Sequence, residues 1–171
     1  IGADVQGIQA NAAVVKVADD LSYALEGRVS PLPMLDVAGA YAVHDRTDAQ
    51  AYKLDATVRP AEALKVTATF GSVQQAFKDN ELYYEDDGFV EKYAGSQVIE
   101  LDAETAYQGV ALGGGVVMKK PEGSQEQFKR AETTFSASKT FALDMATIDG
   151  KYKLTLDDQD RITHEIGAEA T

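Results

Sequence analysis

The sequence predicts an all-β domain, an antiparallel meander of hairpins that forms a barrel or a sector of a larger barrel, with a β-sandwich as the alternative. Three observations carry this reading. Apolar and polar residues alternate with period two, a strand–turn–strand unit is duplicated without a gap, and proline falls where the alternating runs stop.

The duplication is the most informative of the three. Residues 23–41 read YALEGRVSPLPMLDVAGAY, and residues 52–70 read YKLDATVRPAEALKVTATF, at an offset of 29. Tyr23/Tyr52, Leu25/Leu54, Val29/Val58, Pro31/Pro60, Leu35/Leu64 and Val37/Val66 are identical. On the first limb Tyr23, Leu25, Gly27 and Val29 face one way, and Ala24, Glu26, Arg28 and Ser30 face the other. The copy repeats this with Tyr52, Leu54, Ala56 and Val58 against Lys53, Asp55, Thr57 and Arg59. Successive side chains of a strand point to opposite faces, so each unit has one apolar and one polar face. Pro31 and Pro60 lack the ladder donor and mark the ends of the first limbs, with short turns over 31–34 and 60–63.

Weaker limbs follow the same pattern. Residues 4–16 read as one strand with Ile8, Ala10, Ala12 and Val14 on one side, and 106–118 as another through Val110, Leu112, Gly114 and Val116. Ala131, Thr133, Phe135 and Ala137 form a further limb, then Phe141, Leu143 and Met145. The pair Asp149-Gly150 is a two-residue hairpin signal between 142–148 and 151–157. Residues 161–170 offer Ile162, Ile166 and Ala168 on one face. The stretch 72–103, rich in acidic residues, is read as a long irregular loop within a single domain over 1–171. Neither end carries an obvious terminator, so the chain is read as a segment of a larger one.

Composition narrows the function classes. The formal net charge is −12 in 171 residues, which argues against nucleic acid as a partner, since a phosphate backbone needs a basic face. There is no cysteine, so disulfides, thiolate catalysis and thiol-bound metals are excluded. No stretch approaches the roughly 18 apolar residues of a transmembrane helix.

One apolar face per strand suits either a soluble sandwich, where that face is core, or a membrane barrel, where it meets lipid. Three features favour the barrel. Tyr23, Tyr41, Tyr52 and Phe70 form a row opposite the proline turns, as interface aromatics do. Short turns alternate with longer polar connections such as 44–48. Residues 23–31 have about the length that a tilted strand needs to cross a bilayer. In that setting Glu26, Arg28, Lys53, Asp55, Arg59 and Lys65 line the lumen.

No catalytic motif is present, and the chain is read as a non-enzyme. His44 and His164 are the only histidines, both read as solvated, and His164-Glu165 has no second His at metalloprotease spacing. Gly95-Ser96-Gln97 lacks the second glycine of a nucleophile elbow, and Gly113-Gly114-Gly115 lacks the Lys-Ser/Thr of a phosphate loop. No cofactor is expected. The carboxylates of Asp157, Asp158 and Asp160, and of Glu85, Asp86 and Asp87, are the candidate ligands for a hard cation such as Ca²⁺, without EF-hand spacing.

The run 29–41, from Val29-Ser30-Pro31 to Gly39-Ala40-Tyr41, and its copy 58–66 resemble the strand, tight turn and strand of bacterial outer-membrane β-barrels. More loosely, the acidic, cysteine-free character is similar to the barrels of S-layer-linked envelope proteins found in deinococci. The resemblance covers about fifty residues closely. It implies a structural or porin-like wall segment in the outer membrane, with membrane lipid and other segments or copies of the same envelope protein as partners. The sandwich alternative implies a soluble cell-surface binding or adhesion module that uses 72–103 as its contact region.

Overall fold

The computed structural model describes residues 2–5, 8–17, 20–45, 47–77, 88–143 and 146–170. They form the strands β1 (Gly2–Val5), β2 (Ile8–Val17), β3 (Asp20–Leu32), β4 (Leu35–His44), β5 (Gln50–Ala61) and β6 (Leu64–Val73). After an interruption come β7 (Ser96–Tyr107), β8 (Val110–Pro121), β9 (Lys129–Leu143), β10 (Ala146–Asp157) and β11 (Ile162–Ala170). The interruption holds a 3-10 turn, Gln75–Phe77, and one short helix, α1 (Phe89–Tyr93). All eleven strands make one sheet in sequence order, each antiparallel to the next. The sheet is open, since no ladder joins β1 to β11 among the described residues. No second sheet packs on it there, so the sandwich alternative is not the architecture.

The duplicated sequence folds as a duplicated hairpin. Val29 pairs with Val37 and Leu32 with Leu35 in β3–β4, while Val58 pairs with Val66 and Ala61 with Leu64 in β5–β6. Both ladders shift register at the same place, across Pro31 and Pro60. The strands therefore run past the prolines, which sit in bulges where a missing N–H breaks no regular rung.

Besides these strand ends, four further boundaries differ from the sequence reading. The strand expected over 4–16 is two, β1 and β2. The strand expected over 106–118 is broken by a tight turn at Gln108-Gly109, where both residues have positive φ (50° and 74°), the geometry of a primed hairpin turn. Asp149-Gly150 is not a turn. β10 runs straight through it, with Gly150 paired to Lys139 on one side and Ala168 on the other. The parity of Ile148, Gly150, Tyr152 and Leu154 continues unbroken across the pair, which a turn would have interrupted. Finally, the irregular region ends at Gly95 rather than 103. Residues 96–103 are strand, because Gln97, Ile99, Leu101 and Ala103 alternate with Val98, Glu100 and Asp102.

The registers place one continuous apolar face across the sheet. Leu25 lies opposite Tyr41, Tyr41 opposite Tyr52, Leu54 opposite Phe70, Phe70 opposite Ile99, and Leu101 opposite Val116. A second pattern lies within it. Ala10, Gly27, Gly39, Ala56, Ala68, Ala103, Gly114, Ala137, Gly150 and Ala168 supply one small residue per strand from β2 to β11. Consecutive members either face each other directly or step two residues toward the tight-turn end.

The ring row behaves alike. From Tyr23 through Tyr41 and Tyr52 to Phe70 it descends four residues over three strand spacings. With a rise of about 3.3 Å and a spacing of about 4.8 Å, the two lines give a strand tilt of about 30–45° if each marks constant height. Closed barrels require about 35–45°.

Connections sort by end. Two-residue turns join β3 to β4, β5 to β6 and β7 to β8 at one end, and longer connections join β4 to β5, β6 to β7, β8 to β9 and β10 to β11 at the other. The buried cluster is small and sits on the polar face. Phe77, Phe89, Val90 and Tyr93 of the β6–β7 connection pack on Ala42, Ala51, Val73 and Val98 of the wall.

Candidate functional site: the polar face and its docked segment

The candidate lumen residues Glu26, Arg28, Lys53, Asp55, Arg59 and Lys65 all lie on the face opposite the apolar one, because all have the parity of Ala38 and Ala40. Four of them meet. Glu26 is level with Lys53 across Ala40, and Arg28 is level with Asp55 across Ala38. Together with Gln9, Asn11 and the ring of Phe89 they line a groove of ≈ 290 Å³. Asp55 accepts a hydrogen bond from Thr69 Oγ1 (2.6 Å) and lies 3.5 Å from Lys53 Nζ. Arg59 and Lys65 stand nearer the tight turns. Arg59 pairs with Asp36, which also accepts from Ser30 Oγ (2.5 Å), and Lys65 reaches Glu104 (3.1 Å).

Sequence reading missed Asp36, Glu100, Asp102, Glu104 and Phe89. The β7 carboxylates lie in the stretch that reads as loop, although Glu100, Asp102 and Glu104 alternate with Ile99, Leu101 and Ala103. Phe89 was hidden because its partner surface breaks the polar alternation. Toward the long-connection end the polar face turns small and apolar, through Ala24, Ala42, Ala51, Val73, Val98 and Val117.

That change of character explains the docked segment. Aromatic side chains in the β6–β7 connection leave water only if the wall offers an apolar seat, and these residues supply it. Tyr93, 1 % exposed, donates from its hydroxyl to Glu100, while Lys92 and Lys119 hold their ammonium groups 4.8 and 4.7 Å from its ring centre. Lys92 also reaches Glu100 (2.9 Å), and Lys53 lies 5.3 Å from the Phe89 ring centre. Segment and wall are thus tied by burial, a charge-assisted hydrogen bond and cation–π contacts at once.

The four rings Tyr23, Tyr41, Tyr52 and Phe70 all lie on the apolar face. Tyr41 and Tyr52 are direct partners, and Tyr52 and Phe70 have ring centres 5.9 Å apart. Of the two histidines, His44 is buried rather than solvated. It closes the β4–β5 connection, its Nδ1 accepting a hydrogen bond from the Thr47 amide and its backbone N–H donating to the Ala49 carbonyl. His164 is exposed, on the apolar face, with Nδ1 2.9 Å from the Tyr152 hydroxyl.

Among the described residues no three His, Asp or Glu side chains converge as metal ligands would. Asp157 spends its oxygens on the amides of Gln159 and Arg161 and on the Arg161 guanidinium (2.6 Å), and Asp160 pairs with Arg130. These residues of the 157–160 group close a turn. Glu85, Asp86 and Asp87 lie outside the described residues.

No known protein family and no curated protein matches the chain. Solved structures do. A mutant form of the porin of Rhodobacter blastica superposes at a TM-score of 0.61 over 98% of this chain. The fold is that of a porin barrel wall. A second mutant of the same porin gives a TM-score of 0.60. Sequence identities are 12% and 13%, so the likeness is one of fold, and the chain spans about half (52%) of the porin's length.

Proposed function

We propose that this chain is a wall sector of a porin-like β-barrel in the bacterial outer membrane, with its apolar face in lipid and its polar face lining a water-filled passage. The observation that carries the reading is the apolar face itself. Leu25, Leu54, Leu101, Phe135 and Ile166 are 43–84 % exposed, and among the described residues nothing covers them. An aqueous protein of this size buries such residues, whereas a bilayer is a solvent for them. The tilt of about 30–45° given by the two residue lines supports the same reading, since sheets close into barrels only when tilted.

The passage is narrowed by the β6–β7 connection. Its aromatic residues seat α1 against the inside of the wall and leave charged groups around the remaining space. The open edges β1 and β11 call for further antiparallel strands, from the same protein or from another copy, because unpaired backbone groups cannot face hydrocarbon. The work is passage or structure, not catalysis.

Reconstitution of the full-length protein in a planar bilayer tests this. Stepwise ohmic conductance is expected. A protein that inserts and carries no current would remove the passage from the proposal and leave a purely structural wall.

A further inference from the structure

The passage has a feature that neither the fold nor its net charge calls for. Glu26 and Arg28 stand on β3, and Lys53 and Asp55 on β5, with only Ala38 and Ala40 of β4 between them. Around this rectangle the charges alternate in sign, because Glu26 is level with Lys53 and Arg28 with Asp55. Two residues along a strand are about 7 Å apart, and two strands across are about 10 Å apart. The floor is two methyl groups, and one wall is the Phe89 ring of the docked segment. Lys53 is held 3.5 Å from Asp55 and 5.3 Å from the Phe89 ring centre, so the corners are partly fixed before any solute arrives.

We propose that this groove is a binding step for zwitterions of about dipeptide size, deepening the reading of the polar face as an aqueous passage, on which it rests. The four charges sum to zero, so a simple cation or anion attracted to two corners is repelled by the other two, and neither sign is favoured. A zwitterion is different. Its ammonium group can sit at Glu26 or Asp55 while its carboxylate sits at Arg28 or Lys53, and both ends gain. The alanine floor leaves room for the backbone that joins those ends, and Phe89 offers it an apolar surface. A larger residue at either alanine would occupy that space.

The test uses the full-length protein in a planar bilayer, with ion current as the readout and glycylglycine as the probe. Three analogues of similar size serve as comparison: N-acetylglycinamide, neutral; glycylglycinamide, a cation; and N-acetylglycine, an anion. Glycylglycine is expected to interrupt the current at a concentration at least about tenfold below any of the three. The double substitution of Arg28→Gln with Lys53→Gln is expected to remove that preference. Ala38→Leu keeps every charge, fills the floor and also removes it. Current without discrimination among the four solutes overturns the zwitterion site and leaves the passage standing. If the protein carries no current, calorimetric binding of glycylglycine to the micelle-held protein decides the groove by itself. Binding that Ala38→Leu abolishes supports it, and absence of binding overturns it.

Discussion

Gly71 on β6 faces the ring of Phe89 on α1 so closely that a Cβ at position 71 would stand 2.5 Å from Phe89 Cζ. It would also come within 2.6 Å of the Tyr52 carbonyl oxygen. The missing side chain is what lets α1 lie close on the sheet. One glycine in β6 and one aromatic residue in α1 therefore set together how closely α1 approaches the sheet.

Removing the aromatic half of that contact is expected to release the segment without unfolding the sheet. Phe89→Ala should weaken docking by about 3 kcal/mol, the usual cost of truncating a buried phenylalanine. Tyr93→Phe, which loses the hydrogen bond to Glu100, should weaken it by about 1.5–3 kcal/mol. Larger single-channel conductance and protease cleavage within the connection, with the β circular dichroism unchanged, are the expected readings. Unaltered conductance and protection would show that the segment does not narrow the passage.

The two faces of β5 should respond oppositely to the same charge. Ala56 lies on the apolar face in the line of small residues, and Thr57 lies on the polar face beside Thr67. Ala56→Arg is expected to cost about 2–4 kcal/mol of folding stability in phospholipid vesicles, as arginine does near a bilayer midplane. Thr57→Arg should cost less than about 1 kcal/mol. Urea titrations in vesicles measure both. Equal effects at the two positions would contradict the assignment of faces.

The Gln108-Gly109 turn requires positive φ at both residues, which glutamine tolerates poorly. Gln108→Asn restores the favoured Asn-Gly pair and should stabilise the hairpin by about 0.5 kcal/mol. Gly109→Val should destabilise it by about 1–3 kcal/mol. Refolding midpoints of the two variants against the parent decide this.

Legibility in the sequence followed the regularity of the pattern. The duplicated hairpins over 23–41 and 52–70 are legible in their faces and pairing because alternation and turn agree, while the strand ends are not, since Pro31 and Pro60 sit in bulges rather than in the turns. The six charged wall residues came with them, since parity alone places a side chain on a face. Where Gln108-Gly109 forms a turn, the sequence offers a glycine beside an atypical partner, and the only trace of the break is the switch of the apolar positions from odd numbers on β7 to even numbers on β8. At Asp149-Gly150 the reverse held. A strong local turn signal lost to pairing on both sides of β10, which no local pattern reports. The β7 carboxylates are concealed by the acidic, irregular stretch that precedes them, and Phe89 because the docked segment is recognised by its seat. That seat is assembled from residues on several strands, Ala42, Ala51, Val73 and Val98 among them.

Whether the apolar face lies in lipid is tested most directly at two adjacent residues of one strand. Leu54 is 48 % exposed on the apolar face, and Asp55 lies on the opposite face beside Thr69. The chain contains no cysteine, so Leu54→Cys and Asp55→Cys can each carry a single environment-sensitive fluorophore in the full-length protein, reconstituted in vesicles. The label at 54 is expected to be quenched by spin-labelled lipid and untouched by aqueous iodide, and the label at 55 to behave the opposite way. Iodide quenching at 54 without lipid quenching would contradict the membrane wall.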